Sequence, residues 1–394
     1  MNTLVTLILM ALALPAAAAS LYLLLLTLLS GALPAPLRSS RRLRFDIIVP
    51  AHNEAGVIER VIANLRKLDW PSDGFRILVV ADNCTDATAA LARAAGAEVL
   101  ERHDTTQRGK GYALDFAFQK SRAAGWAYAV VVIDADSEVA PNLLEAFSSR
   151  IENGAKAVQA HYGVLNPHAS WRTRLMTIAM AAFHVLRSRA RERLHLSCGI
   201  RGNGWCITHL LLNQVPYQAF SLTEDIEYGI DLGLAGYRVH YAEEAQVNAD
   251  MVTDAQAAGT QRQRWESGRL QLIRSKALAL LSAATRRGDA VSLDLALDLF
   301  VLPLSYVALN VAVLIGFSAL AVLWLPEFDF WLMLGIACAL SLLLYVLRGW
   351  QLSGVGFIGL ADLLCAPFFV LWKLLLLLRL PKAGEWIRTK REIP

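Results

Sequence analysis

Charged residues are scarce in this chain of 394 residues: they make up 18% of the sequence, against about 25% in ordinary soluble domains. Hydrophobic residues reach 55%, above the roughly 45–50% of such domains. Lysine and arginine number 38 against 34 acidic residues, an excess too small to predict nucleic-acid binding. The composition argues against an ordinary cytosolic enzyme and against a disordered chain. It indicates a membrane protein that carries a sizeable folded domain.

Several common functional motifs are also missing. The five cysteines include no Cys-x-x-Cys pair, which excludes a zinc knuckle and a thiol redox motif. There is no GxxxxGK(S/T) loop, no GxGxxG after the first predicted strand and no Gly-x-Ser-x-Gly elbow. The histidines are scattered without the spacing of metal ligands. The chemistry of the chain must therefore rest on other residues.

The first 37 residues carry no charge, a stretch longer than the ~20 apolar residues that cross a bilayer. We predict an uncleaved membrane helix. The alternative is a cleaved signal peptide, because small residues at 15–20 resemble a cleavage site, although no basic segment precedes them. The next charges are Arg38, Arg41, Arg42 and Arg44. The positive-inside rule places these arginines and the following domain in the cytoplasm, with the N-terminus outside.

A second apolar region begins near residue 299. Residues 299–326 and 330–347 carry no charge and flank the acidic segment 327–329, which predicts a helical hairpin with its tip outside. A third stretch, 363–378, contains Lys373 and precedes a basic tail. Since basic residues favour the cytoplasmic side, we expect an interfacial or re-entrant helix at about 361–380 rather than another crossing. The chain then divides into a transmembrane helix (1–37), a cytoplasmic domain (38–295) and a C-terminal membrane region (296–394).

Between residues 39 and 295 the composition is that of a globular domain. Short runs rich in β-branched residues, at 45–50, 76–82 and 128–134, each precede a stretch with apolar residues at helical spacing. Repeated β-α-β units predict an α/β fold with a mainly parallel sheet covered by helices on both faces. Ligands of such sheets bind beyond the carboxyl ends of the strands. The functional site is expected there.

Polar side chains follow each of the three predicted strands. They are His52, Asn53 and Glu54 after the first, Asp82 and Asn83 after the second, and Asp134 and Asp136 after the third. Clustered carboxylates repel one another unless a cation neutralises them, and oxygen ligands select Mg²⁺ or Mn²⁺, which bridge a diphosphate. Alternatively, Asp82 and Asp134 are helix caps and Asp136 is a solvated loop residue. Because all three strand ends are acidic, a nucleotide sugar with a divalent metal fits best.

Two further segments carry candidate chemistry. Residues 108–111 (RGKG) are either a phosphate-binding turn, basic and punctuated by glycine, or a solvated turn. Farther along the chain, Thr223 is a plausible N-cap for the helix that begins with Glu224 and Asp225. Capping explains Thr223 and does not require Asp225. We therefore predict Asp225 as a candidate general base.

A third segment, QRQRW at 261–265, has a helical pattern. Gln261, Arg264 and Trp265 share one helix face, at positions i, i+3 and i+4. An arginine and a tryptophan on one face can hold a phosphate and stack on a sugar ring. Taken alone, the same pattern also fits a basic interfacial helix with a tryptophan anchor.

Together these segments resemble the membrane-bound family 2 glycosyltransferases, which include cellulose, chitin and hyaluronan synthases and bacterial exopolysaccharide transferases. The resemblance spans roughly residues 45–275. It rests on an ordered set of motifs: PAHNE (50–54), ADNCTD (81–86), RGKGYAL (108–114), DADS (134–137), SLTEDIE (221–227) and QRQRW (261–265). Each motif is modest, but the order is specific. The resemblance implies a GT-A nucleotide-sugar fold, inversion at the anomeric carbon, and a UDP-sugar donor with Mg²⁺ or Mn²⁺.

The resemblance also implies roles for individual residues. Ala51 and Glu54 would line the nucleoside pocket, and Asp82 would meet the uracil. Lys110 would lie close to the base and the diphosphate, and Asp134 would face the ribose or the sugar. Asp136 would hold the metal, and Asp225 would deprotonate the acceptor hydroxyl. The positions implied at the diphosphate and the acceptor are Glu224, Gln261, Arg264, Trp265, Cys198 and Gly199. The segment after Gly199 (IRGNGW) matches the family only loosely.

The sequence therefore predicts an inverting, metal-dependent transfer of a hexose from a UDP-sugar to a lipid-linked or polysaccharide acceptor at the cytoplasmic face of a bacterial-type inner membrane. A single base without a nucleophile is expected for inversion. We favour limited transfer over processive synthesis and secretion, because few membrane helices are predicted. A homo-oligomer would supply more helices. The alternatives from other classes are a non-catalytic nucleotide-sugar-binding scaffold and a small transporter. Expected partners are the donor, a lipid-linked or glycan acceptor and membrane lipids, without nucleic acid.

Overall fold

The computed structural model describes residues 2–251, 255–366 and 368, with the backbone alone at residues 2, 255–258 and 260–263. Residues 45–249 contain an eight-stranded sheet. Its strands are β1 (Phe45–Ala51), β2 (Phe75–Asp82), β3 (Glu98–Arg102), β4 (Ala129–Val132), β5 (Ser137–Val139), β6 (Ala157–Val164), β7 (Trp205–Thr208) and β8 (His240–Ala249). All three predicted strand runs therefore lie on real strands.

The order across the sheet is β3-β2-β1-β4-β7-β6-β8-β5. In the first half, β1 pairs in parallel with β2 and β4, and β2 pairs in parallel with β3. In the second half, β7 runs antiparallel to β4 and β6, β6 runs parallel to β8, and β5 runs antiparallel to β8. The predicted α/β fold is confirmed. The sheet is mixed, because the antiparallel strand β7 joins its two halves.

The α-helices in the described part of the chain are α1 (Asn2–Leu28), α2 (Ile58–Leu65), α3 (Thr88–Ala94), α4 (Lys110–Ala124), α5 (Leu143–Glu152), α6 (Trp171–Met180), α7 (Arg187–Arg193), α8 (His209–Gln214), α9 (Glu224–Leu234), α10 (Ala255–Arg287), α11 (Ala290–Phe300), α12 (Leu304–Val322), α13 (Asp329–Ser353) and α14 (Gly356–Asp362). A π-helical turn, Ala181–Leu186, joins α6 to α7. Single 3₁₀ turns lie at Pro326–Phe328 and Leu363–Cys365.

Hydrophobic cores lie on both faces of the sheet. Ile47 and Val49 of β1 point into the core that α2, α3 and α5 cover, whereas Ile48 points into the core that α4, α8 and α9 cover. All three side chains are fully buried. This alternation is the period of two that a strand imposes, and burial on both faces explains the continuous hydrophobic run in the sequence.

Within the described residues, three helices are long and apolar enough to span a membrane: Thr3–Leu28, Leu304–Val322 and Pro326–Ser353. They pack together through a shared core, where Ala13 and Ala16 of α1 are buried beside residues such as Leu314 and Leu342. Small residues let helices approach closely, which is the usual basis of packing between apolar helices. Helices occupy both arms of the predicted hairpin, and its orientation in a membrane stays a prediction.

The segment from α6 through the π-helical turn to α7 connects the sheet to the apolar helices. Ala182, Leu186 and Ala190 belong to the same core as α1, α12 and α13. A Cβ added at Gly349 of α13 would lie 2.7 Å from the Cβ of Ala182, so only glycine permits this approach. The predicted interfacial helix at about 361–380 and the basic tail lie mostly outside the described residues.

Candidate active site

The loops after β1 and β2 form the first wall of the site. Asn53 and Asn83 adopt left-handed backbone conformations, with φ of 57° and 49°, which asparagine tolerates better than most residues. The Oδ1 of Asn53 accepts a hydrogen bond from the backbone N–H of Thr85 at 2.7 Å. The backbone N–H of Glu54 donates to Thr88 Oγ1 at 2.8 Å. The PAHNE and ADNCTD segments, with the buried Ala51 at their base, are thereby fixed against each other.

Asp82, the predicted uracil contact, lies at the end of β2 as expected. Its Oδ1 is 2.7 Å from an Nη of Arg102, and both side chains are buried. Arg102 also donates to the carbonyl of Gln107 at 2.8 Å. Arg102 was not among the residues predicted from the sequence, because its partner Asp82 lies on the neighbouring strand β2. This buried ion pair supports the chain that leads into the RGKG turn.

Lys110 joins the two halves of the predicted site. Its Nζ lies 2.6 Å from Asp134 Oδ1 and 3.8 Å from Glu224 Oε1. It also donates to the carbonyl of Gly202 at 2.7 Å. Burial alone would lower the pKa of Lys110, but Asp134 and Glu224 outweigh burial and raise it. Lys110 is therefore a charged ammonium at the first position of α4, where it links the DADS turn to the start of α9.

The DADS turn is held by a residue that the sequence analysis did not single out. The backbone N–H of Asp134 donates to Asn203 Oδ1 at 3.0 Å, and Asn203 Nδ2 donates to Ser137 Oγ at 2.6 Å. Asn203 is fully buried, and its neighbours Gly202 and Gly204 both have positive φ, at 86° and 71°. An asparagine between two glycines was the available signal, because that pattern predicts a special backbone turn.

Gln159 of β6 supports the same segment from below. Its Nε2 donates to the carbonyl of Asn203 at 2.7 Å, and its Oε1 accepts from the backbone N–H of Arg201 at 2.8 Å. The side chain is 1% exposed. A buried amide that satisfies two backbone groups in this way rigidifies its surroundings. The position of Asp134 is thus set by three elements that are distant in sequence.

Glu224 and Asp225 begin α9 and face the same centre. A Cβ added at Gly202 would lie 3.5 Å from Asp225 Oδ2, so the candidate base lies against the glycine that receives the Lys110 hydrogen bond. Burial raises the pKa of both carboxyl groups, and the Lys110 ammonium offsets only part of that rise. A carboxylate whose pKa is raised toward neutrality is suited to accept a proton.

Thr223 occupies the N-cap position of α9, as predicted, but its side chain makes no capping hydrogen bond. Instead, its methyl and hydroxyl groups pack against Gly268 of α10, where an added Cβ would lie 2.5 Å from Thr223 Cγ2. The Oε2 of Glu227 accepts from the backbone N–H of Ser221 at 3.1 Å and ties down the preceding turn. The capping hydrogen bond predicted for the Thr223 hydroxyl was wrong, because this side chain packs closely against α10 instead.

The raised pKa values predict the acid limb of the pH profile. A base acts only when it is deprotonated, so kcat/KM is expected to fall as the pH drops toward 5, because burial raises the pKa of Asp225 above the ordinary Asp value of about 4. Replacing Glu224 by Gln removes the negative charge next to Asp225, lowers the pKa of Asp225 and shifts the acid limb to lower pH. Donor turnover measured across this range tests both points. A profile of the wild type that stays flat down to about pH 5 contradicts them.

The QRQRW segment lies on α10, as its helical pattern predicted. Arg264 is half-buried, and its Nε makes no hydrogen bond within the part of the chain that the structure describes. Trp265 is 38% exposed. The side chain of Gln261 lies outside the described residues. An arginine with a spare donor beside an accessible tryptophan fits contact with a phosphate and a sugar.

The Cys-Gly segment lies behind α9. Cys198 is fully buried in the sheet core, and burial raises the pKa of its thiol to about 12. Its Sγ lies 3.4 Å from the carbonyl of Gly199. Gly199, with φ of 73°, lines a small cavity together with Arg201. The thiol packs as a core residue, and only the backbone at Gly199 borders open space.

The acids of the DADS turn fit a divalent metal that is shared with a bound diphosphate. Asp136 is 9% exposed, and its Oδ1 lies 3.5 Å from Ser137 Oγ. Across the described residues no three His, Cys, Asp or Glu side chains cluster as a metal site. Mg²⁺ characteristically uses one or two carboxylates and completes its shell with water and substrate phosphate oxygens. Asp136, with Asp134 beside it, offers this oxygen-only set.

The sequence and the fold are similar to those of known glycosyltransferases. Residues 43–268 match the profile of the family described as "Glycosyltransferase like family 2". A β-monoglucosyldiacylglycerol synthase of Synechocystis is 28% identical over 235 residues, covering 57% of this chain and 47% of that protein. A probable glycosyltransferase of Bacillus subtilis is 24% identical over 243 residues, covering 58% and 56%. The chain spans about half the length of the curated relatives it matches.

Among solved structures, a mannosyltransferase from Pyrobaculum calidifontis, in complex with GDP-Man and Mn²⁺, has a TM-score of 0.54 at 19% identity. The match covers 85% of this chain and 99% of that one. At this identity the likeness concerns the fold, and it confirms the predicted GT-A architecture. Since the family profile covers more than half of the sequence, the chain belongs to the glycosyltransferase-like family 2, and its sheet region is a glycosyltransferase domain of the GT-A fold.

Proposed function

We propose that this glycosyltransferase moves a hexose from a UDP-sugar to a hydroxyl group of a lipid acceptor, with inversion at the anomeric carbon. One observation carries the proposal. Lys110 bridges Asp134 of the DADS turn and the Glu224–Asp225 pair, so the acids suited to the donor and the candidate base share one site. A scaffold that only binds nucleotide has no use for a carboxylate with a raised pKa at that place.

In this proposal each residue has a limited task. Asp225 accepts the proton of the acceptor hydroxyl as that oxygen attacks the anomeric carbon. The ammonium of Lys110 stabilises negative charge near the diphosphate, and Asp134 holds that ammonium in place. A divalent cation bound through Asp136 supplies Lewis-acid neutralisation of the leaving diphosphate. With one base and no second carboxylate acting as nucleophile, a single displacement inverts the anomeric centre.

The acceptor assignment rests on the neighbourhood of the domain. Two apolar helices, α1 and α13, pack directly against the α6–α7 segment of the catalytic domain, and the apolar helix α12 packs against both of them. The Synechocystis relative is named for a glucosylated diacylglycerol. We infer that the acceptor is an amphipathic lipid at the cytoplasmic face of the inner membrane, and that one or a few sugars are transferred.

A panel of sugar nucleotides tests the proposal. Purified full-length protein in lipid vesicles is incubated with UDP-glucose, UDP-galactose, UDP-N-acetylglucosamine or GDP-mannose, and the products are analysed by mass spectrometry. We expect one UDP-sugar to add one or a few hexose units to a lipid. Preference for GDP-mannose would contradict the UDP assignment. A long polymer would favour a processive synthase, and failure to release nucleotide from any donor would favour a binding scaffold.

The proposed topology makes a separate prediction. Since α12 and α13 meet at the 3₁₀ turn Pro326–Phe328, and arginines at 38–44 follow α1, the turn lies outside and the catalytic domain inside. A reporter inserted at Glu327 is expected to read external, and one fused after Pro394 is expected to read cytoplasmic. Paired phosphatase and fluorescent-protein fusions measure this. A cytoplasmic signal at Glu327 would refute the hairpin.

A further inference from the structure

Helix α11 buries both of its carboxylates and exposes part of its apolar surface, although Leu295 and Leu299 are buried. Its two carboxylates, Asp294 and Asp298, are 5% and 8% exposed. Its apolar side chains Leu293, Leu297 and Phe300 are 40–46% exposed. A helix in water shows the opposite arrangement. The outward face of α11 therefore suits contact with lipid, at the point where the chain enters α12.

Four arginines meet the buried side of α11, and they are called the arginine cluster below: Arg187, Arg191, Arg201 and Arg269. Nitrogen atoms of Arg187 and Arg191 lie 2.8 Å from Asp298 Oδ1. An Nη of Arg201 lies 3.6 Å from Asp298 Oδ2. Arg269 donates to the backbone carbonyls of Asp298 and Val301, the latter at 2.7 Å. A single carboxylate is thus the hub of the cluster.

The arginine cluster carries more positive charge than its acids balance. Within the described residues, Asp298 and Asp294, the latter 2.8 Å from Arg191, form the ion pairs of the cluster. The charge of Asp225 also interacts with that of Arg201, so three acids face four arginines. Glu266, one turn before Arg269, accepts a hydrogen bond from Tyr306 at 2.8 Å. Burial, together with the neighbouring arginines, lowers the pKa of Arg269 to about 10 and also lowers that of Arg201. Buried charge in excess is costly unless an opposite charge is supplied.

A small cavity lies at the side of the arginine cluster that faces α9. Arg201, Arg269 and Asp298 supply its polar wall. Its apolar wall consists of Ile200, Ile226, Ile230, Leu295 and Leu299. Ile226 directly follows the candidate base, and the Nε of Arg269 has no hydrogen-bond partner within the described residues. The cavity lining therefore combines two guanidinium groups, one of them with a spare donor on Arg269, with side chains that tolerate hydrocarbon.

The cluster also contacts two of the apolar helices. An Nη of Arg191 donates to the hydroxyl of Tyr22 in α1 at 2.6 Å, and the Nε of Arg187 donates to the hydroxyl of Tyr345 in α13 at 2.9 Å. These contacts place the excess charge at the junction between the catalytic domain and the membrane helices. Phosphate groups of lipids lie at this depth, since polar headgroups border the hydrocarbon core.

We propose that the arginine cluster binds the phosphate group of an anionic membrane lipid, at the cavity where Arg201 and Arg269 face Asp298. Guanidinium groups match phosphate through paired charge-assisted hydrogen bonds, and the apolar wall and the exposed face of α11 accommodate the acyl chains. The site goes beyond the proposed transfer reaction and rests only on the membrane placement of that proposal. It is distinct from the donor site around Lys110 and Asp134.

Binding of fluorescent lipids to the full-length protein in a neutral detergent tests the site without any nucleotide. The probes are phosphatidic acid and phosphatidylcholine with the same fluorescent acyl chain, followed by anisotropy. The wild type is expected to bind phosphatidic acid about tenfold or more tightly than phosphatidylcholine. Arg201→Gln and Arg269→Gln are each expected to lose most of this preference. Arg286→Gln, an exposed arginine at the far end of α10, is the matched control and keeps it.

Asp298→Asn separates a binding role from a structural one. Removing this carboxylate leaves the arginines without their competing anion, so phosphatidic acid is expected to bind several-fold more tightly than to the wild type. Equal affinity of the wild type for the two probes would overturn the proposal, as would unchanged affinity in both glutamine variants. Displacement of the lipid by millimolar inorganic phosphate would assign the site to a soluble anion and overturn the proposal that it binds a lipid. Because no donor is present, these outcomes leave the test of the transfer reaction independent.

Discussion

Asp225→Asn is expected to lower kcat by about 10²–10⁴-fold, the usual contribution of a general base. Asparagine has almost the same size as aspartate, so the packing of the side chain against Gly202 is retained. It cannot accept the proton of the acceptor hydroxyl. The effect falls on the chemical step, because the donor does not need the base in order to bind. Initial rates of UDP release at saturating donor measure kcat directly.

Glu224→Gln is the matched control for this prediction. Glu224 precedes Asp225 at the start of α9 and lies 3.8 Å from Lys110 Nζ. Its replacement removes one charge from the same centre but leaves the base in place, so kcat is expected to fall far less than in Asp225→Asn. Comparable losses in the two variants would show that the two carboxylates act as one unit. A full loss in Glu224→Gln with activity kept in Asp225→Asn would reassign the base.

Asp136→Asn is expected to abolish turnover while expression and folding are retained. The carboxylate belongs to the oxygen set that fits a divalent cation, and a neutral amide binds Mg²⁺ or Mn²⁺ far more weakly. Chelation by EDTA is expected to stop the wild-type enzyme, and excess Mn²⁺ or Mg²⁺ is expected to restore it. Rates measured across a Mn²⁺ titration give the apparent metal affinity of each variant.

Asp250→Asn is the control for the metal prediction. Asp250 pairs with Arg60 at 3.0 Å, and Arg60 also donates to the backbone carbonyl of Asp136. Asp250 therefore lies close to Asp136, the proposed metal ligand. Its side chain is 43% exposed, and an exposed ion pair contributes little. Activity and metal dependence of Asp250→Asn are expected to stay near the wild type. Full wild-type activity in EDTA would exclude the proposed metal.

The fold of the sheet region could be predicted because its signals are local. The hydrophobic runs of β1, β2 and β4 are buried on both faces, and each ends in the polar residues that the motifs mark. The DADS acids could be found for the same reason. Their placement relative to Asp225 could not, because it depends on contacts of Lys110 and of the adjacent residues Gly202 and Asn203, which lie far apart in sequence.

The arginine cluster could not be predicted from local sequence patterns. Arg187 and Asp298 are separated by 111 residues, and only the packing of α7 against α11 brings them together. In the structure both aspartates of α11 are buried, whereas Leu293, Leu297 and Phe300 are exposed. The proposed membrane placement of the chain favours this exposed apolar surface.

Calorimetric titration of UDP beside donor turnover, on the same preparations of the wild type, Asp225→Asn and Asp82→Ala, tests the central claim most directly. Asp225→Asn is predicted to bind UDP with nearly wild-type affinity and to lose turnover. Asp82→Ala is predicted to weaken UDP binding first, because it removes the proposed uracil contact and frees Arg102, which supports the chain before Lys110. An Asp225→Asn variant that loses UDP binding and keeps its kcat would contradict the division between donor binding and base catalysis.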